Sequence, residues 1–190
     1  MPIVQSNNFA RPRPVFFMLV LAVLLLFLPR LALADKEVPE YHVKAVFLYN
    51  LASFVTWPED WHRDADTFVI GIYGNDPFGT LIDQTVAGEQ RQGKPIEIIR
   101  YKDIGELKTP SCDILFISSS ITENFSEIRT ALRDVPVLTV ADTSGFPEYG
   151  GMVNLLKKDN RIKVEINLKA AGDAGLFISA KLLRLARIVK

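Results

Sequence analysis

The chain has 190 residues, 48% hydrophobic and 23% charged, with 22 basic residues balanced by 22 acidic ones. That balance excludes the strongly basic face that nucleic acid requires, and the single cysteine, Cys112, excludes an intrachain disulfide framework. What remains fits one compact domain whose hydrophobic core holds the fold unaided.

The first 34 residues read as a cleaved secretory signal peptide, with an uncleaved anchor as the alternative. Arg11 and Arg13 precede an apolar run from Val15 to Leu28, and Ala32-Leu33-Ala34 precede the charged Asp35-Lys36-Glu37. The run counts 14 residues (28 − 15 + 1), short of the roughly 20 that span a bilayer. Cleavage leaves residues 35–190 as a single domain. Removing Arg11, Arg13 and Arg30 leaves 19 basic against 22 acidic residues, a net of −3.

Residues Glu37 to Val55 predict a helix, because Tyr41, Ala45, Leu48, Ala52 and Val55 recur at helical spacing and Phe47, Leu51 and Phe54 widen the apolar side. Pro58 ends it at Thr56-Trp57, and Trp57 is expected to fold back on the core. Strands follow at Phe68–Tyr73, Pro95–Tyr101, Ile114–Ile117 and Val135–Val140. The first, third and fourth are nearly unbroken apolar runs, as strands covered on both faces are, while the second alternates like one nearer an edge. Helical segments separate them at Phe78–Val86, Ile104–Leu107 and Glu123–Leu132. This alternation predicts an α/β sandwich with a largely parallel sheet.

Met152–Leu156 and Arg161–Asn167 predict an antiparallel hairpin turned by Lys157-Lys158-Asp159-Asn160, which makes the sheet mixed. Strict alternation puts Ile162, Val164 and Ile166 on the core face, and Arg161, Lys163, Glu165 and Asn167 on the polar one. From Lys169 to Lys190 the period lengthens to that of a terminal helix. Ala171, Ala174, Ile178, Leu182, Leu185 and Val189 form its stripe, and Lys181, Arg184, Arg187 and Lys190 lie off it.

Ligands of open α/β sheets sit beyond the carboxyl ends of the strands. Here those ends carry Asn75 and Asp76, Ser118 and Ser119, and Asp142 and Ser144, which either meet in a crevice for a small polar molecule or serve as turns and helix caps. Gly71, Gly74 and Gly79 match neither a dinucleotide fingerprint nor a P-loop, so no cofactor is expected. Ser118–Ser120 lack the nucleophile elbow. His42 and His62 stand without cysteine partners, so neither a catalytic set nor a metal site is expected. Cys112 opens an apolar strand and is read as a small buried hydrophobe rather than a reactive or intermolecular thiol.

The segments Lys44-Ala45-Val46-Phe47-Leu48-Tyr49-Asn50-Leu51, Phe54-Val55-Thr56-Trp57-Pro58, Gly150-Gly151-Met152-Val153, Arg161–Leu168 and Gly175–Ala186 together resemble the YfiR/HmsC-like periplasmic family. The resemblance spans essentially all of the mature chain. It implies a Rossmann-like three-layer α/β sandwich without catalytic activity, which acts in the periplasm. There it would bind the periplasmic sensor domain of an inner-membrane diguanylate cyclase, or a related membrane sensor, and repress cyclic di-GMP output and biofilm formation. Paired cysteines tune repression in some members; a lone Cys112 cannot form such an internal switch. Glu165, Asn167, Lys169, Lys181 and Arg184, on the polar side of the hairpin and terminal helix, are the expected partner contacts. A small-ligand sensor or adaptor is the alternative, an exported hydrolase a more distant one, and a homodimer stays open.

Overall fold

The computed structural model describes residues 39–61, 65–108, 112–121 and 125–189. All lie in one compact unit, Val38–Lys190. The expected signal peptide and His62 fall outside the described residues, as does residue 190.

The first helix, α1, runs Glu40–Leu51, shorter than its sequence pattern. Its expected last residue, Val55, opens β1 (Val55–Thr56) instead, because the backbone there bonds across the chain: Val55 and Thr56 pair antiparallel with Ile178 and Phe177 of β9 (Phe177–Ile178). Trp57 packs edge-on against Phe68 at 5.4 Å, closing that end of the core as expected.

An eight-stranded sheet forms the middle layer. In spatial order it is β10 (Ala186–Val189), β8 (Arg161–Asn167), β7 (Val153–Lys158), β6 (Leu138–Ala141), β5 (Ile114–Ile117), β2 (Phe68–Tyr73), β4 (Lys94–Tyr101) and β3 (Gln90–Arg91). Pairing is parallel except at β7–β8 and β3–β4, so the sheet is mixed and mostly parallel. The unbroken apolar runs β2, β5 and β6 are buried along their whole length. Strand β6 starts at Leu138 rather than Val135, since Pro136 has no N–H to give the ladder. The β4 strand lies near an edge as its alternation suggests, with the short β3, absent from the sequence reading, outside it.

Helices cover both faces. On one side α1 and α2 (Thr80–Val86) bury Ala45, Leu48 and Ile82 against Ile70, Phe116, Val140, Val153 and Ile166. On the other, a 3-10 turn (Ile104–Lys108) and α3 (Phe125–Ala131) bury Leu107 and Ile128 against Leu115, Ile117, Cys112 and Phe146. Gly71 belongs to this second face, where a Cβ would stand 2.6 Å from the Tyr101 ring.

The hairpin β7–β8 forms with Lys158 opposite Arg161, so the turn is only Asp159-Asn160. Both adopt positive φ, 51° and 59°, as a twist-matched two-residue turn demands.

The terminal run is not one helix. A short α4 (Leu168–Asp173) is capped by the Asn167 side chain, which accepts from the Ala170 N–H at 2.9 Å. It ends where Gly175 turns left-handed at φ 75° and the Leu176 N–H donates back to the Ala171 carbonyl at 2.9 Å. The chain then forms β9, α5 (Ala180–Leu183) and β10, which lies parallel to β8. Ala171, Leu182 and Val189 of the expected stripe are buried, but Leu185 is 76% exposed. One helical stripe became contacts from four separate elements.

Candidate functional site

The polar residues at the strand ends are engaged in local hydrogen bonds, and Ser119 and Asp142 both lie within reach of the Tyr41 hydroxyl. After β2, the Asn75 N–H donates to Ser120 Oγ at 2.9 Å, and the Ser120 hydroxyl reaches Ser118 Oγ at 3.2 Å. Between β2 and β5, where the strand order reverses, the loop after β5 sits on the end of β2: a Cβ on Gly74 would lie 2.7 Å from Ile121. Asp76 is committed as well. Its Oδ1 accepts from the Phe78 and Gly79 N–H groups at 2.7 and 3.2 Å, and its Oδ2 from Arg100 Nε at 2.7 Å. Arg100 also grips Asp83 at 2.6 Å and holds that carboxyl below the usual range. These residues fasten the turn into α2. Ser144 is exposed.

Asp142 belongs to a different arrangement. At the carboxyl end of β6 its Oδ2 accepts from Lys44 Nζ at 2.8 Å and from the Tyr41 hydroxyl at 3.0 Å. Both members of the Lys44–Asp142 pair have side chains only 2% exposed. Lys44 also pairs with Glu40, which Lys157 of β7 approaches at 3.9 Å. Burial, together with the Asp142 charge and hydrogen bond, pushes the Tyr41 hydroxyl up to about 12, and Ser119 lies within hydrogen-bonding reach of it. A carboxylate held between an ammonium and an un-ionised phenol anchors α1 to the end of the sheet; Asp142 Oδ1 is buried without a partner among the described residues. The sequence carried the signal for Lys44, since positions 41, 44, 45 and 48 follow helical spacing and a lysine stands on that apolar stripe.

The five expected partner contacts separate too. Glu165 was expected on a solvated face, and that expectation is corrected: β10 covers it, leaving 9% exposed. Its Oε1 accepts from Arg187 Nε and Nη2 at 3.0 and 2.6 Å, and its Oε2 from Asn154 Nδ2 at 3.2 Å. The parallel register sets Arg187 directly across from Glu165. Asn167 is half-buried, capping α4 and donating to the Pro147 carbonyl at 2.9 Å. Lys169 is exposed and pairs with Asp173 at 2.5 Å. Lys181 and Arg184 are exposed on and just after α5.

Cys112 is fully buried, and burial pushes its thiol up to about 12. At about pH 8 the native chain is expected to react with an aromatic disulfide reagent only as fast as it unfolds. A burst of labelling in native buffer, followed by mass spectrometry, would contradict this packing.

Between α3, the 146–151 loop and α4 lies a cleft of about 460 Å³. None of the six strand-end residues lines it, although Asn167 and Lys169 do. His42 is exposed on α1, and among the described residues no three His, Cys, Asp or Glu side chains group to hold a metal. Among those residues no helix is long and apolar enough to cross a membrane.

Among solved structures, the fold is similar to an ABC domain from Streptococcus pneumonia in complex with L-Trp, at 14% identity and a TM-score of 0.55, over 76% of this chain and 60% of that one. A conserved domain protein from Vibrio cholerae O1 biovar El Tor aligns at 11% identity and a TM-score of 0.49, over 80% of this chain and 60% of that one. The chain thus spans about 60% of the length of either structure. At this identity the first likeness shows the α/β fold alone. No curated protein matches the chain. A family profile described as YfiR/HmsC-like matches residues 41–187, from the first turn of α1 into β10. With that extent of match the chain belongs to the YfiR/HmsC-like family.

Proposed function

We propose that this chain is a non-enzymatic periplasmic regulator that binds the periplasmic sensor domain of an inner-membrane diguanylate cyclase and represses it. The family match over residues 41–187 carries this reading. Export by a signal peptide over residues 1–34 would deliver residues 35–190 to the compartment where that sensor domain lies. The segment after β8 supplies the contact surface, with Lys181 and Arg184 exposed in the same stretch as Phe177 and Leu185, which are 74% and 76% exposed. Exposed aromatic and aliphatic side chains interleaved with cations suit a protein interface.

Affinity capture from a membrane extract tests the reading. Wild-type protein is expected to recover a membrane protein that carries a diguanylate cyclase domain, and a Lys181→Glu/Arg184→Glu double variant several-fold less of it. Recovery of no membrane cyclase by the wild type, with cyclic di-GMP unchanged when the gene is deleted, would overturn it. The cleft beside α3 favours ligand sensing as a second reading.

A further inference from the structure

The cleft is built as a site with an apolar body and one charged lip. Ile128, Leu132 and Phe146 are buried along its floor, and Phe125 and Tyr149 stack as its wall at 6.1 Å with planes 16° apart. Tyr149 is nonetheless 63% exposed, an unusual position for a large ring that a neighbouring ring already holds in place. At about 460 Å³ the space is within the range that encloses small organic ligands.

The charges at the rim select among ligands. Lys169 is engaged by Asp173, and both polar ends of the Asn167 side chain are used. Arg133 and Asp134, beyond the end of α3, contribute opposite signs. The Arg129 side chain makes no hydrogen bond or ion pair with a described residue. Its side chain lies over Gly150, where a Cβ would come within 3.2 Å of Cδ and 3.3 Å of Nη1, and Gly150 adopts φ 92°. A Cβ on Gly151 would fall 2.2 Å from the Phe146 ring. The glycine pair therefore keeps the floor open and the guanidinium at the mouth. An uncommitted guanidinium presents a planar fork that matches one carboxylate. Arg133 is followed in the chain by Asp134, whose opposite charge offsets it at the rim, so the balance there suits one carboxylate, and a neutral ligand would leave Arg129 unused.

We propose that this cleft binds a small amphipathic monocarboxylate, with Arg129 receiving the carboxylate and the floor beneath Phe125 and Tyr149 enclosing the apolar body. The site stands independently of what the chain docks to, because binding is read on the purified chain alone. Calorimetric titration with octanoate, octanamide and acetate separates the contributions of charge and apolar body. Octanoate is expected to bind saturably at one site, with both controls at least about tenfold weaker. Arg129→Gln is expected to weaken octanoate at least about tenfold with an unchanged melting temperature, since Arg129 is exposed. Absence of saturable octanoate binding, equal binding of octanamide, or wild-type affinity in Arg129→Gln would each overturn the assignment.

Discussion

A Lys44→Met variant is expected to lose about 3–5 kcal/mol of unfolding free energy in a urea titration. Methionine fills the space of the lysine stem, so the loss is electrostatic. Removing the ammonium strands the Asp142 carboxylate, 2% exposed, with only the Tyr41 hydroxyl on Oδ2 and no partner on Oδ1. The desolvation cost of that carboxylate, previously offset by Lys44 at 2.8 Å, then falls on the folded state alone. A Lys44→Met/Asp142→Leu double variant is expected to recover at least half of the loss, because both charges then leave the interior together. A single-variant loss below about 1 kcal/mol would mean that water reaches the pair and that α1 is held by its apolar face alone. The same pair explains why α1 tolerates a charge on its buried stripe: Asp142 stands where that stripe crosses the end of β6.

This cluster marks how far the sequence could be read. Central strands were legible because β2, β5 and β6 are covered on both faces and their side chains had to be apolar throughout. The hairpin was legible because Ile162, Val164 and Ile166 alternate along β8 toward the core and the turn needs residues that accept positive φ. Lys44–Asp142 joins residues 98 positions apart, and no local pattern links a lysine on a helix to the end of a particular strand. The terminal run was misread for a related reason. Ala171, Leu182 and Val189 fall at helical spacing, yet Gly175 turns left-handed between them and the edge of β8 offers backbone partners to Ala186–Val189. At the expected strand-end crevice, Ser120 and Ile121 pack over the end of β2, a contact no local pattern announces. The cleft beside α3 draws its walls from α3, the 146–151 loop and α4, which are adjacent only once the sheet is assembled.

A Glu165→Lys variant is expected to cost about 3–5 kcal/mol and to free β10 before the rest of the sheet opens. Alternation along β8 made Glu165 look like a surface charge suited to a partner-binding test, whereas the parallel addition of β10 turned that face inward at this one position. Lysine there would face Arg187 across the ladder and remove the acceptor that Asn154 Nδ2 uses at 3.2 Å, so two cations would compete for one nearly dry position. Glu165→Gln removes only the charge. Arg187 can then turn toward water, being 63% exposed, so that variant is expected to lose about 1 kcal/mol. Native-state hydrogen exchange distinguishes the two: the amides of Ala186–Val189 are expected to lose protection in Glu165→Lys while those of β2 and β5 keep it. Equal protection of β10 in wild type and Glu165→Lys would show that the ladder to β8, rather than the buried glutamate, secures the last strand. Lost cyclase binding in Glu165→Lys would therefore report a detached strand, whereas Lys181 and Arg184, both exposed, test the partner surface without removing a buried acceptor.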